Sequence, residues 1–213
     1  MIQLDIFSDP VCPWCYIGKT YLDRALERAA DHPFAIEWHP FQLNPDMAPG
    51  GVDRLDYLGA RFGGRDKAVA MSQRIELAAR EAGIEIDFDR IPRIPNTLDA
   101  HRLIHWAGLE GRQTPMVSAL FRAYWREGRD IGDPEVLADV AAGVGLDRAV
   151  IARLLASDAD RTDIADRDAH ARSRGVSAVP TFLIANRYVL QGAQPDTTWA
   201  EAIAELTAQA PDA

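Results

Sequence analysis

Apolar residues at Ile2, Leu4 and Ile6 alternate with Gln3 and Asp5, the period-two pattern of a strand. Ile17, Tyr21, Leu22, Ala25, Leu26 and Ala29 then recur at helical spacing, with Pro13 suited to the first turn, where its missing N–H costs nothing. Phe34, Ile36 and Trp38 resume the alternation and run into the turn Pro40-Phe41-Gln42-Leu43-Asn44-Pro45. Strand, helix and strand in this order form a βαβ unit, so the two strands are expected to be parallel. From about residue 44 to about 160 the period becomes helical. Ala68, Met71, Ile75, Ala78 and Ala82 form a stripe that Gly83 ends, and Thr114 is placed as an N-cap, with Pro115 opening a helix through Trp125. Asp133-Pro134 repeats that start signal, and Asp147 caps a short helix through Leu155. This region reads as a helical insertion containing no second sheet. Beyond it, residues 165–174 read as helix stopped by Gly175, and residues 179–184 and 188–190 as a hairpin turned at Asn186-Arg187. Asp196 caps a last helix whose buried face carries Trp199, Ile203 and Leu206.

The chain has 213 residues, which fits one large domain or one domain with a substantial insertion. Its 47% hydrophobic and 26% charged residues suffice for a real core. With 23 Lys and Arg against 32 Asp and Glu, the net charge of −9 argues against nucleic acid as a partner. No apolar run approaches the ~18 residues of a membrane span. Met1-Ile2-Gln3-Leu4-Asp5 lacks the basic start of a signal peptide, so a cytoplasmic location is expected.

The two cysteines, Cys12 and Cys15, fall between the first strand and first helix. A disulfide between them closes too small a loop to be a useful staple. At a helix start, backbone N–H groups and the helix dipole favour a thiolate, the nucleophilic form. Cys12, nearer the helix end, is therefore read as the attacking thiol and Cys15 as the resolving one. The competing readings are inert cysteines and a Cys2His2 zinc site with His101 and His105, four residues apart on a helix. Against zinc stand the long gap from Cys15 to His101 and the Pro13-Trp14 pair between the cysteines.

Four stretches carry a resemblance to a known family: Ser8 to Gly18, Pro40 to Pro45, Pro95 to Leu103, and Gly175 to Phe182, the last followed by Gly192-Ala193-Gln194. In this order they resemble FrnE-type DsbA-family thiol-disulfide oxidoreductases of the thioredoxin superfamily. These are relatives of 2-hydroxychromene-2-carboxylate isomerases and kappa-class glutathione transferases. The resemblance implies an α/β thioredoxin-like fold with a large α-helical insertion, residues 1–43 and 160–213 forming the thioredoxin-like part and 44–159 the insertion. It further implies a cis Val179-Pro180 loop beside the cysteines, Pro180 completing the catalytic centre and the Val179 backbone pairing with an extended substrate.

By the same resemblance, Asp5 is the buried acid that accepts a proton from Cys15, the alternative being a solvated strand-end aspartate. Asn96, Thr97 and His101 are placed toward the active site as ligands of a polar substrate or glutathione, the competing reading of His101 being a surface or interdomain histidine. His39 has the same competing reading. Trp14 reads as a substrate contact; Trp38, Trp106, Trp125 and Trp199 read as packing residues. Several positions depart from the pattern. Ala178 replaces a common glycine, and Trp14 replaces the histidine of strongly oxidising periplasmic enzymes, so strong oxidising power does not carry over. The isomerase and transferase relatives have serine at the position of Cys12, so retention of both cysteines favours disulfide exchange. The implied partners are dithiol or disulfide substrates, with no required cofactor and no metal, and with glutathione as redox partner or co-substrate. The alternatives are a glutathione-dependent isomerase or transferase of aromatic or polyketide-like molecules, and a binding protein using the same groove.

Overall fold

A computed structural model describes residues 1–29 and 31–209. The first strand, β1 (Ile2–Ser8), is followed by α1 (Pro13–Arg28) and β2 (Phe34–Pro40), and the two strands are parallel, from Ile2 opposite Phe34 to Ser8 opposite Pro40. Near the other end of the chain, β5 (Thr181–Ile184) runs antiparallel to β1, and β6 (Tyr188–Gln191) runs antiparallel to β5. The sheet order is therefore β2-β1-β5-β6. Central β1 buries Leu4 and Ile6 completely. On their face, Trp199 of the last helix, α9 (Asp196–Gln209), meets Phe34 and Phe182 edge-on. The other face carries Asp5 and Glu37, and Glu37 is reached by Arg167 of α8 (Arg161–Ser173). At the sheet edge the Gln113 side-chain amide bonds both the N–H and the carbonyl of Trp38, at 2.9 and 3.0 Å. The amide supplies the contacts of a further strand, so this stretch of edge is not left open for pairing.

The insertion is mostly helical: α2 (Arg54–Phe62), α3 (Arg65–Glu81), α4 (Leu98–Leu109), α5 (Gln113–Trp125), α6 (Pro134–Gly143) and α7 (Arg148–Leu155). Asp133 and Asp147 cap α6 and α7 as expected, each accepting first-turn backbone N–H groups. Other expectations are corrected. A second sheet does exist in the insertion, formed by the antiparallel pair β3 (Val52–Asp53) and β4 (Arg93–Ile94). Two-residue strands are too short to show an alternation, and only the folded chain brings residues 52 and 94 together. Thr114 lies inside α5, and its hydroxyl accepts from Trp38 Nε1 at 2.9 Å instead of capping the helix. Asp196 lies within the first turn of α9, where it pairs with Arg28 at 2.8 Å. The α2 helix has a cap at each end: Asp53 accepts from Asp56 N–H, and Gly63 takes the left-handed conformation. Among the described residues no helix is long and apolar enough to cross a membrane.

Candidate active site

The active-site loop leaves β1 at Ser8 and is held by the next residue. Asp9 is wholly buried, and its carboxylate accepts from Leu43 N–H at 2.7 Å and Val11 N–H at 3.4 Å. Its carbonyl accepts from Cys12 N–H at 2.9 Å. Trp125 of α5 donates its indole N–H to the Pro10 carbonyl at 3.0 Å, which ties the loop to the insertion. Cys12 is the N-cap of α1, in extended conformation with Pro13 behind it, and its carbonyl accepts from Cys15 and Tyr16 N–H. Both cysteines are free thiols, 4% and 1% exposed, whereas Trp14 between them is 42% exposed.

The Val179-Pro180 peptide bond is cis. Cys12 Sγ donates to the Val179 carbonyl at 3.6 Å, so the nucleophile candidate and this loop are in direct contact. Gly18 permits the approach of α1 to the loop: a Cβ there would come within 3.1 Å of Pro180 Cγ and 3.3 Å of Ala193 Cα, tighter than packing tolerates without movement. Cys15 sits one turn inside the helix. Burial raises its pKa well above the ordinary cysteine range, and the neighbouring Cys12 raises it further. The Ser8 hydroxyl and the Asp9 backbone act in the opposite direction. Ser8 Oγ is buried and has no hydrogen-bond partner among the described residues, so its hydroxyl is available to a Cys15 thiolate.

The sequence-derived site is thus assembled only in part. Cys12, Cys15, Trp14, Val179 and Pro180 come together. Asp5 does not join them: its carboxylate accepts from His39 at 2.8 Å and Gln3 at 3.0 Å, and the groups acting most on Cys15 are Cys12, Ser8 and Asp9. Asn96, Thr97 and His101, read from the sequence as ligands, do not border the groove at Cys12. The Asn96 amide is engaged by Met47 O and Leu98 N–H, Thr97 is buried under Gln42, and buried His101 lies 3.7 Å from Asp9. They shape the loops behind the cysteines. A zinc site is not assembled either, since His101 faces Asp9 while His105 lies against Arg167 at 3.3 Å. Ser8 and Asp9, which adjoin the cysteines, are not singled out by the sequence patterns, although Asp9-Pro10, separated from α1 by Val11-Cys12, is a turn signal.

The groove beside Cys12 has a volume of about 340 Å³. It lies between the start of α1, the cis loop, and helices α2, α3 and α5, and Trp14, Val179 and Trp125 are among its walls.

A redox-motif helix packed on a cis-proline loop, in a four-stranded sheet with a helical insertion, defines a thioredoxin-like protein. Residues 3–204 match the family model of the DSBA-like thioredoxin domain, and the chain belongs to that family. The chain is 28% identical over 205 residues to the protein YwbO of Bacillus subtilis (strain 168), covering 96% of each. It is similar to a probable DsbA oxidoreductase from Streptomyces coelicolor, with TM-score 0.86 and 27% identity over 100% of this chain and 93% of that one. The fold is also shared with the cytosolic disulfide reductase DsbM of Pseudomonas aeruginosa with GSH, with TM-score 0.69 and 22% identity over 96% and 99% of the two chains.

Proposed function

We propose that the protein is a thiol-disulfide oxidoreductase in which Cys12 attacks and Cys15 resolves. The observation that carries this reading is the Cys12 thiol at the N-terminus of α1, in contact with the Val179 carbonyl and with Cys15 one turn behind it. The Cys12 thiolate attacks one sulfur of a substrate disulfide, forming a Cys12–substrate disulfide and releasing the first substrate thiol. Cys15 then loses its proton, attacks Cys12 Sγ and releases the second thiol, leaving a Cys12–Cys15 disulfide. Two electrons pass to the substrate. Two equivalents of a low-molecular-weight thiol such as glutathione return the protein to its dithiol, and no further cofactor is required. The presence of GSH in the DsbM structure supports glutathione in this role, and the cytosolic setting of that reductase supports a cytoplasmic location.

The same contact supports a role for the Val179 backbone in pairing with an extended substrate once Cys12 is engaged, and the exposed aromatic surface of Trp14 supports a substrate contact at the rim. The test is intact mass after mixing the reduced protein with oxidised glutathione. A transient adduct on Cys12 should give way to an internal disulfide; Cys15→Ala should hold the adduct, and Cys12→Ser should form none. Two thiols that stay free across a graded glutathione buffer would overturn the reading.

A further inference from the structure

The groove at Cys12 carries a charge pattern opposite to that of the chain as a whole. The protein has nine more acidic than basic groups, yet the charged residues among those lining this groove are Arg54 and Arg61, with no Asp or Glu. Both arginines lie on α2, together with Tyr57, Leu58 and Phe62. The spacing i, i+3, i+4, i+7, i+8 is that of a single helix face, so α2 presents one continuous wall to the groove. The remaining wall is largely apolar, with Val11, Met71, Ile75, Ile94 and Trp125.

Arg54 is 6% exposed. Among the described residues its guanidinium donates to neutral acceptors alone: Ile91 O at 2.9 Å, Ser72 Oγ at 3.2 Å and Phe88 O at 3.2 Å. It also stacks over the Phe88 ring, 4.5 Å from its centroid. A buried cation is normally paired, because taking an unpaired charge out of water is costly. Burial does press on this group, since desolvation is the leading cause of its lowered pKa, while Asp89, Asp53 and Glu76 act against that shift through space without bonding the guanidinium. Among the described residues three of its five N–H groups are used, so two are without a hydrogen bond. Arg61, two turns along the helix, is exposed and donates to Tyr57 OH at 2.8 Å, without a carboxylate partner among the described residues.

We propose that this groove selects small disulfides and thiols whose sulfur is attached to an apolar, ring-sized body bearing a carboxylate. Arg54 receives the carboxylate inside the groove, and Arg61 at the mouth favours its entry. The volume of about 340 Å³ lies at the low end of small-molecule sites, and it matches one such body beside the thiol. The proposal rests on the oxidoreductase reading and deepens it by naming the substrate class. The chemistry is the exchange already described: Cys12 displaces one aryl thiolate, and Cys15 displaces the second.

The probes are 5,5′-dithiobis(2-nitrobenzoate), an aromatic disulfide with carboxylates, and uncharged 2,2′-dithiodipyridine. Second-order rates of the reduced protein with each are measured by stopped flow and normalised to a free thiol. The normalised preference for the carboxylated probe should fall about fivefold or more in Arg61→Gln and in Arg54→Met, with the dithiodipyridine rate of Arg61→Gln held within about twofold, because a lost charge-assisted contact acts on one probe only. Since Arg54→Met also removes structural bonds, Arg61→Gln and the salt dependence of the wild-type preference stand as independent readouts. Binding without chemistry is read in Cys12→Ser by tryptophan quenching, where 1-naphthoate should bind more tightly than 1-naphthalenemethanol. Equal preference in wild type and both variants, with equal binding of the two naphthalenes, overturns the proposal while leaving disulfide exchange intact. Failure of both disulfides to react, with 1-naphthoate still preferred, overturns the oxidoreductase reading and with it the disulfide substrate class, and leaves the groove's preference for a carboxylate.

Discussion

Replacing Ser8 with alanine should slow resolution by Cys15 without weakening the fold. Ser8 Oγ is buried, has no hydrogen-bond partner among the described residues while Cys15 is a thiol, and favours the Cys15 thiolate. A hydrogen bond donated to a charged group contributes about 1.5–3 kcal/mol. At 1.36 kcal/mol per power of ten, its loss removes roughly one to two powers of ten of Cys15 thiolate near neutral pH. The thiolate that remains is more nucleophilic, with a Brønsted coefficient of about 0.45. Net slowing is therefore about 3.5-fold for each power of ten, or roughly 4- to 13-fold in all. The opposite sign is expected for stability: an unpartnered buried hydroxyl costs about 1–3 kcal/mol by mutational measures, so Ser8→Ala should be neutral or slightly stabilising in urea. The assay is rapid acid quenching of a single turnover with oxidised glutathione, followed by intact mass. The Cys12–glutathione adduct should accumulate to a higher peak and decay more slowly, while its rate of formation stays unchanged. An unaltered decay rate, or a variant clearly less stable than wild type, would refute this account of Ser8.

Burial raises the Cys15 pKa, so the folded protein holds this proton at pH values where the unfolded chain has released it. Stability of the reduced protein is thus complete below the unfolded value of about 8.5 and is lost as pH rises toward the folded value, by up to about 1.4 kcal/mol per pH unit. Urea titrations between about pH 8.5 and 10 should show this loss in wild type and a shallower dependence in Cys15→Ser; parallel curves would contradict it. Asp9→Asn should lower the urea midpoint by the equivalent of about 1.5–3 kcal/mol with an unchanged slope, because the amide cannot replace both acceptor oxygens facing Leu43 and Val11 N–H. A midpoint within about 0.5 kcal/mol of wild type would show that the carboxylate does not hold the loop.

The legible parts were those whose cause is local. The alternation at Ile2, Leu4 and Ile6, the helical stripe from Ile17, and Pro13 at the helix start located β1, α1 and the two cysteines. Asp133 and Asp147 act as caps because a cap is a contact between near neighbours. Resemblance added the cis loop, more than 160 residues from Cys12 in sequence, which local pattern alone does not connect to it. Other roles were decided only by folding. Thr114 has the chemistry of an N-cap, yet Trp38 takes its hydroxyl. Asp5 and Asp9 are both aspartates shortly before Cys12, but the first is turned to His39 and only the second reaches the cysteine loop. The Arg54–Arg61 wall acquires meaning only when α2 is laid across the groove at Cys12.

The sequence by itself determined the order of elements and the chemistry of the nucleophile candidate, since both follow from periodicity and short-range contacts. Tertiary structure decided which polar side chains surround Cys15 and which line the groove. Those choices depend on burial and on partners tens of residues away, and a hydrogen bond or an unpaired charge has its full energetic weight only after packing has excluded water.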